Sequence, residues 1–103
     1  MQKAEVFVHS QLAGVLEEIA PGSGYRFIYR EGYSGPPVSL TMPIADAPYT
    51  YNRFPPFFEG LLPEGYNLET LLRAYKIDRN DLFRQLFVVG MDMVGAVTVR
   101  QIK

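Results

Sequence analysis

Side chains able to do chemistry are sparse in this sequence. His9 is the one histidine, and there is no cysteine. A zinc site needs three or four converging nitrogen, sulfur or oxygen ligands, so His9 alone reads as a half-exposed residue at a strand end. No HxH, HExxH or Asp-x-Asp-x-Asp spacing supplies ligands for another metal. Nucleophilic catalysis meets the same shortage. No Gly-x-Ser-x-Gly turn is present, and His9 would have to activate any hydroxyl unaided.

Carboxylates remain, in the close pairs Glu17/Glu18, Glu59/Glu64 and Asp78/Asp81. Neighbours on a strand point to opposite faces, which separates Glu17 from Glu18. Asp78 and Asp81 suit a helix start, where the backbone dipole favours acids. Glu59 and Glu64 flank a turn and would need a cleft between them to act as acid and base. The glycine patterns add nothing. "PGSG" (21–24) lacks the third glycine and following helix of a dinucleotide loop, and "VGMDMVGAV" (89–97) lacks the Lys-Ser/Thr of a phosphate loop. The expectation is no catalytic residue, no cofactor and no metal.

The elements that would carry these residues follow from hydrophobic period. Ala4, Val6 and Val8 share one face of a strand running to His9, Ser10-Gln11 turns the chain, and Leu12–Ile19 returns as a second strand. After the "PGSG" turn, Tyr25, Phe27 and Tyr29 alternate with Arg26, Ile28 and Arg30. Val38–Met42 reads as a short strand ending at Pro43, and residues 44–52 as an ordered loop. The period then changes. Phe54, Phe57, Phe58 and Leu61 make one helix face, with Pro55 and Pro56 in its first turn. Leu68, Leu71, Leu72 and Tyr75 make a second, with Glu69 and Arg73 spaced as an i,i+4 pair. A third helix fits 79–89, capped by Asp78 or Asn80 and ended by Gly90, and "GAVTVRQI" alternates as a last strand. This predicts an α+β fold, a small antiparallel or mixed sheet with about three short helices.

At 103 residues the chain is one domain, 1–103, burying roughly 65% of the surface its unfolded form exposes. Ten basic against eleven acidic residues leave a net charge of −1, so no cationic excess drives binding to phosphate backbones. The aromatic/Arg strand Tyr25–Arg30 therefore reads as a sheet face under helices, with Arg26 and Arg30 free to meet an acidic partner. No signal peptide or membrane-spanning stretch is evident, and the lack of cysteine suits a reducing compartment, so the chain reads as soluble and cytoplasmic.

One stretch stands apart. "RFPPFFEGLLPEGYNLETLLRAY" (53–75) is the richest apolar run, yet "LLPEG" interrupts it. A plain helix corner, with Tyr66 packed on the core, is one account. The other is a corner whose leucines hold a rigid tip, with Tyr66 exposed as a contact residue and Glu64 ready for a cationic surface. The candidate partner-binding residues are accordingly Leu62, Pro63, Glu64, Gly65, Tyr66 and Asn67, joined by Tyr49 and Tyr51 of the preceding loop.

Four segments, "VFVHSQLAGVL" (6–16), "VSLTMP" (38–43), "FFEGLLPEG" (57–65) and "DLFRQLFVVGMDMVGAV" (81–97), resemble in order and spacing the N-terminal subdomain of HipA-family serine/threonine kinases, the toxins of bacterial toxin–antitoxin modules. The resemblance runs from about Val6 to Val99 and stops where that family's kinase core begins. It therefore brings no ATP-phosphate loop, catalytic Asp or Mg²⁺ ligands, and no kinase activity. As a free-standing copy, with Met1 just before the first strand and Lys103 just after the last, the chain resembles the HipS subunit of tripartite HipBST systems. That resemblance implies a non-enzymatic antitoxin that binds and restrains the kinase toxin HipT, with a HipB-type DNA-binding protein as a third member. It leaves steric and allosteric inhibition equally open. The rival readings are a structural fragment of an intact HipA-type kinase, an interaction module with an unrelated partner, and a small hydrolase using Glu59 and Glu64.

Overall fold

Alternation in the first thirty residues builds three antiparallel strands in a computed structural model that describes residues 2–93 and 95–102. Strand β1 (Lys3–Val8) pairs with β2 (Gln11–Ala20), and β2 with β3 (Gly24–Tyr29). The first turn lies one residue earlier than the sequence predicts. His9 and Ser10 both take left-handed conformations, φ 49° and 67°, which suit the twist of a two-residue hairpin. His9 is thus an exposed turn residue whose backbone N–H donates to Ala96 O at 2.9 Å.

Strand β4 (Tyr49–Tyr51) adds to β3, and β5 (Val97–Ile102) to β1, giving the order β4-β3-β2-β1-β5 with every neighbouring pair antiparallel. The fold is α+β, as the periodicity predicts, and the sheet is antiparallel throughout. Two assignments between β3 and the helices are corrected. Val38–Met42 is not a strand but a turn, while Tyr49–Tyr51, read as loop, is the edge strand. The reason is the buried Tyr29 hydroxyl. It accepts from Val38 N at 2.9 Å and donates to Met42 O at 2.6 Å, taking up backbone groups a neighbouring strand would otherwise bond. Val38 and Met42 point inward, and Leu40 between them is 95% exposed.

Helix α1 (Pro56–Glu59) is shorter than its stripe implies, with Pro56 at its first position and Phe58 its buried residue. Helix α2 (Gly65–Tyr75) buries Leu71, whereas Tyr75, placed in the stripe by spacing, is exposed. Lys76 turns left-handed (φ 55°), its N–H and that of Ile77 reach back to Leu72 O, and Ile77 supplies the buried contact instead. Helix α3 is Leu82–Val89 rather than 79–89, because Asp81 is its cap: Arg84 N donates to the Asp81 carboxylate at 3.2 Å. Asp78 instead accepts from Asn80 N at 2.7 Å, one turn earlier. Gly90 ends α3 in right-handed conformation, so close approach and not left-handed geometry requires glycine there. A Cβ would lie 2.2 Å from Val99 O of β5.

One face of the sheet, carrying Val6, Leu16, Phe27 and Val99, packs on Phe54, Phe58, Phe83 and Leu86. Phe27 and Phe58 are fully buried with ring centroids 5.8 Å apart. Truncating such a side chain to alanine typically costs about 3–5 kcal/mol, so this aromatic layer sets where the corner between α1 and α2 sits. The opposite face is closed by ion pairs. Glu17, 8% exposed, meets Arg26 at 3.0 Å and Lys3 at 3.4 Å, and Arg100 meets Glu5 at 2.6 Å while lying over the Phe7 ring. Arg26, expected to be free, is therefore engaged within the chain. Arg30 is exposed and donates from Nε to Leu12 O at 3.1 Å.

Candidate functional site

The interrupted run 53–75 folds as α1, a corner and α2. Glu59 N and Gly60 N donate to Pro55 O and Pro56 O at 3.0 Å, and Leu61 N and Leu62 N donate to Phe58 O and Glu59 O at 3.1 Å, carrying the turn beyond α1. Leu62 is buried and anchors the corner from below. Glu64 is extended (φ −128°, ψ 163°), and Gly65 then takes φ +58°, a conformation glycine adopts freely and residues with a Cβ adopt rarely. That backbone reversal, with the fixed ring of Pro63 ahead of it, accounts for the Pro and the Gly that break the apolar run. The chain must change direction sharply before α2 begins.

Glu64, Gly65, Tyr66 and Asn67 are all exposed, and Tyr66 is 84% exposed on the first turn of α2. The packed-tyrosine account is thereby excluded. Its backbone is held, since the Thr70 hydroxyl donates to Tyr66 O at 3.0 Å and Leu71 one turn later is buried. Tyr49 and Tyr51 stand elsewhere, on the edge strand β4. Both are half-buried against the core, and the Tyr49 hydroxyl donates to Pro43 O at 2.6 Å. Desolvation raises both hydroxyls above the ordinary tyrosine value, with Asp46 adding to the effect at Tyr49 and Tyr49 at Tyr51. The structure therefore gathers Leu62–Asn67 into one feature and leaves Tyr49 and Tyr51 as core cover at the sheet edge.

Beneath the corner, a cleft of about 160 Å³ is lined by Glu59, Leu62, Pro63, Glu64, Leu68, Arg79, Leu82 and Gln85. Ligand pockets begin at roughly 300 Å³, so this one has room for a side chain and not for a sugar or nucleotide. Glu69 does not pair with Arg73, as spacing predicts; its carboxylate takes Arg79 from beyond the end of α2. Gln85, 1% exposed, was not singled out by sequence reasoning, which followed only the apolar members of the α3 stripe. The available signal was its place three residues after Leu82, on the same helix side. Among the described residues no group of three or more potential ligands could hold a metal, and no helix is long and apolar enough to cross a membrane.

Residues 4–100 match the family described as "HipA N-terminal domain". The chain belongs to that family. A solved structure of the N-terminal domain of HipA toxin superposes on the whole chain with a TM-score of 0.78, at 31% identity and covering 94% of that structure. An uncharacterized protein of Haemophilus influenzae is 33% identical over 103 residues, which is 100% of this chain and 95% of that one. The serine/threonine-protein kinase toxin HipA of Shewanella oneidensis is 33% identical over 64 residues, 62% of this chain but 14% of the toxin. What matches is the HipA N-terminal domain, not a kinase domain.

Proposed function

We propose that this HipA N-terminal domain works as a non-enzymatic regulatory subunit, an antitoxin that binds a HipA-like serine/threonine kinase toxin and restrains it by contact. The observation that carries the reading is the corner at Leu62–Asn67. A tyrosine that is 84% exposed stands beside a carboxylate on a backbone pinned by buried Leu62 and Leu71. Rigid aromatics presented in this way are the usual anchors of protein interfaces. Family membership supports the choice of partner, because in the Shewanella oneidensis toxin this domain is a small part of a kinase chain. An acidic, aromatic tip also suits a catalyst that must hold anionic ATP phosphates with cations, which makes occlusion of that site the mechanism we favour.

The partner in this reading is a HipT-like kinase, with a HipB-type protein making the DNA contacts. Arg26 and Arg100 are spent on Glu17 and Glu5, which leaves the chain itself poorly equipped for nucleic acid. The test is calorimetry and an autophosphorylation assay with a HipA-type kinase, using the native chain and the Tyr66→Ala/Glu64→Ala double variant. Tight binding and inhibition by the native chain, both weakened about tenfold or more in the variant, support the proposal. Equal affinity of the two would reduce the tip to scaffolding. A second reading, a structural piece of an intact HipA-type kinase, rests on the same 14% coverage of the toxin and is decided by whether a kinase coding sequence continues in frame.

A further inference from the structure

We propose that the cleft under the corner takes one basic side chain, a lysine or arginine, of the partner. This rests on the partner-binding reading and names the chemistry of one contact. Gln85 Nε2 donates to Arg79 O at 3.0 Å and to Asp78 O at 3.4 Å, which fixes the amide with its nitrogen towards the chain. Its Oε1 is buried and accepts from no group among the described residues. A buried acceptor left unpaired is unfavourable, and an arriving N–H donor relieves it.

The cleft's charges select the kind of donor. Glu59 and Glu64 are the acidic residues of its lining, while the cation among the described lining residues, Arg79, is already committed to Glu69. Leu62, Leu68 and Leu82 line it with apolar surface suited to the methylene stem of a long basic side chain. At about 160 Å³ it exceeds several-fold the roughly 30 Å³ share of one water, which leaves room for one long side chain and not for a sugar or nucleotide.

The test needs no kinase. The full chain is titrated with N-acetyl-lysine-N-methylamide at millimolar concentrations, followed by the Gln85 side-chain amide and the Leu62 and Leu68 methyl resonances, with the norleucine counterpart as an uncharged control. Saturable shifts at these positions with the lysine probe, absent with norleucine and weakened up to about fivefold for each carboxylate lost in Glu59→Gln and Glu64→Gln, are expected. No saturable shift, an equal response to norleucine, or no loss in the variants would overturn the proposal. Failure here leaves kinase binding through Tyr66 standing, and failure to bind any kinase leaves the cleft's response to the probe measurable.

Discussion

Tyr29→Phe is the perturbation that most directly questions the account of how the turn at 38–42 is held. The phenylalanine ring would keep the packing of the native one, edge-on to Phe27 at 4.9 Å and stacked on Tyr33 at 5.8 Å. What is removed is one oxygen that serves two buried backbone groups, Val38 N at 2.9 Å and Met42 O at 2.6 Å. Leaving a buried donor or acceptor unpaired costs about 1–3 kcal/mol, so the pair together should cost about 2–6 kcal/mol. That is a large share of the roughly 5–15 kcal/mol that separates folded from unfolded domains. Urea denaturation followed by circular dichroism measures the loss, and hydrogen exchange at the Val38 amide locates it. The expected result is a lower midpoint with an unchanged slope, together with fast exchange at Val38. A loss below about 1 kcal/mol with Val38 still protected would refute the claim that this hydroxyl replaces strand pairing.

Three further expectations test other joints of the fold. Gly90→Ala should cost about 3 kcal/mol by thermal melting, because the new Cβ would meet two backbone carbonyls, Val99 O at 2.2 Å and Leu86 O at 2.8 Å; Gly60→Ala, in helical conformation with ordinary contacts, should instead stabilise by about 0.5 kcal/mol. Glu17→Gln should cost about 1 kcal/mol in denaturant titration, since Lys3 and Arg26 are exposed enough to regain water once the carboxylate charge is gone. Alkaline pH should unfold the chain through its tyrosines. Burial holds the Tyr25, Tyr29 and Tyr51 hydroxyls above 10.0 in the fold, so the unfolded chain ionises first. Stability is then full below about pH 10 and falls as pH rises through the higher folded values, visible as tyrosinate absorbance rising together with loss of circular dichroism.

Much of the corner was legible in the sequence. Tyr66 falls outside the stripe of Leu68, Leu71 and Leu72, and it is exposed; Pro63 and Gly65 announce a reversal, and Gly65 takes the positive φ. The cleft beneath it was not legible. Its lining comes from α1, from the corner at 62–64, from α2 and from residues 79–85, and its apolar side chains carry no mark that they converge. Glu69 shows why. Local spacing offers Arg73, but the ion pair goes to Arg79, which the turn at Lys76–Ile77 brings back alongside α2.

Periods and turn residues, which act within a few positions along the chain, determined the strand–helix–strand succession and the apolar face of most elements. Only the tertiary structure decided matters that depend on groups distant in sequence. These are the Tyr29 hydroxyl converting a predicted strand into a turn, β4 taking the sheet edge, and a β5 carbonyl demanding glycine at residue 90. Local preference is worth at most about a kcal/mol per residue, whereas a buried unpaired backbone group or a backbone clash costs more. Where the two conflicted, the long-range contact prevailed.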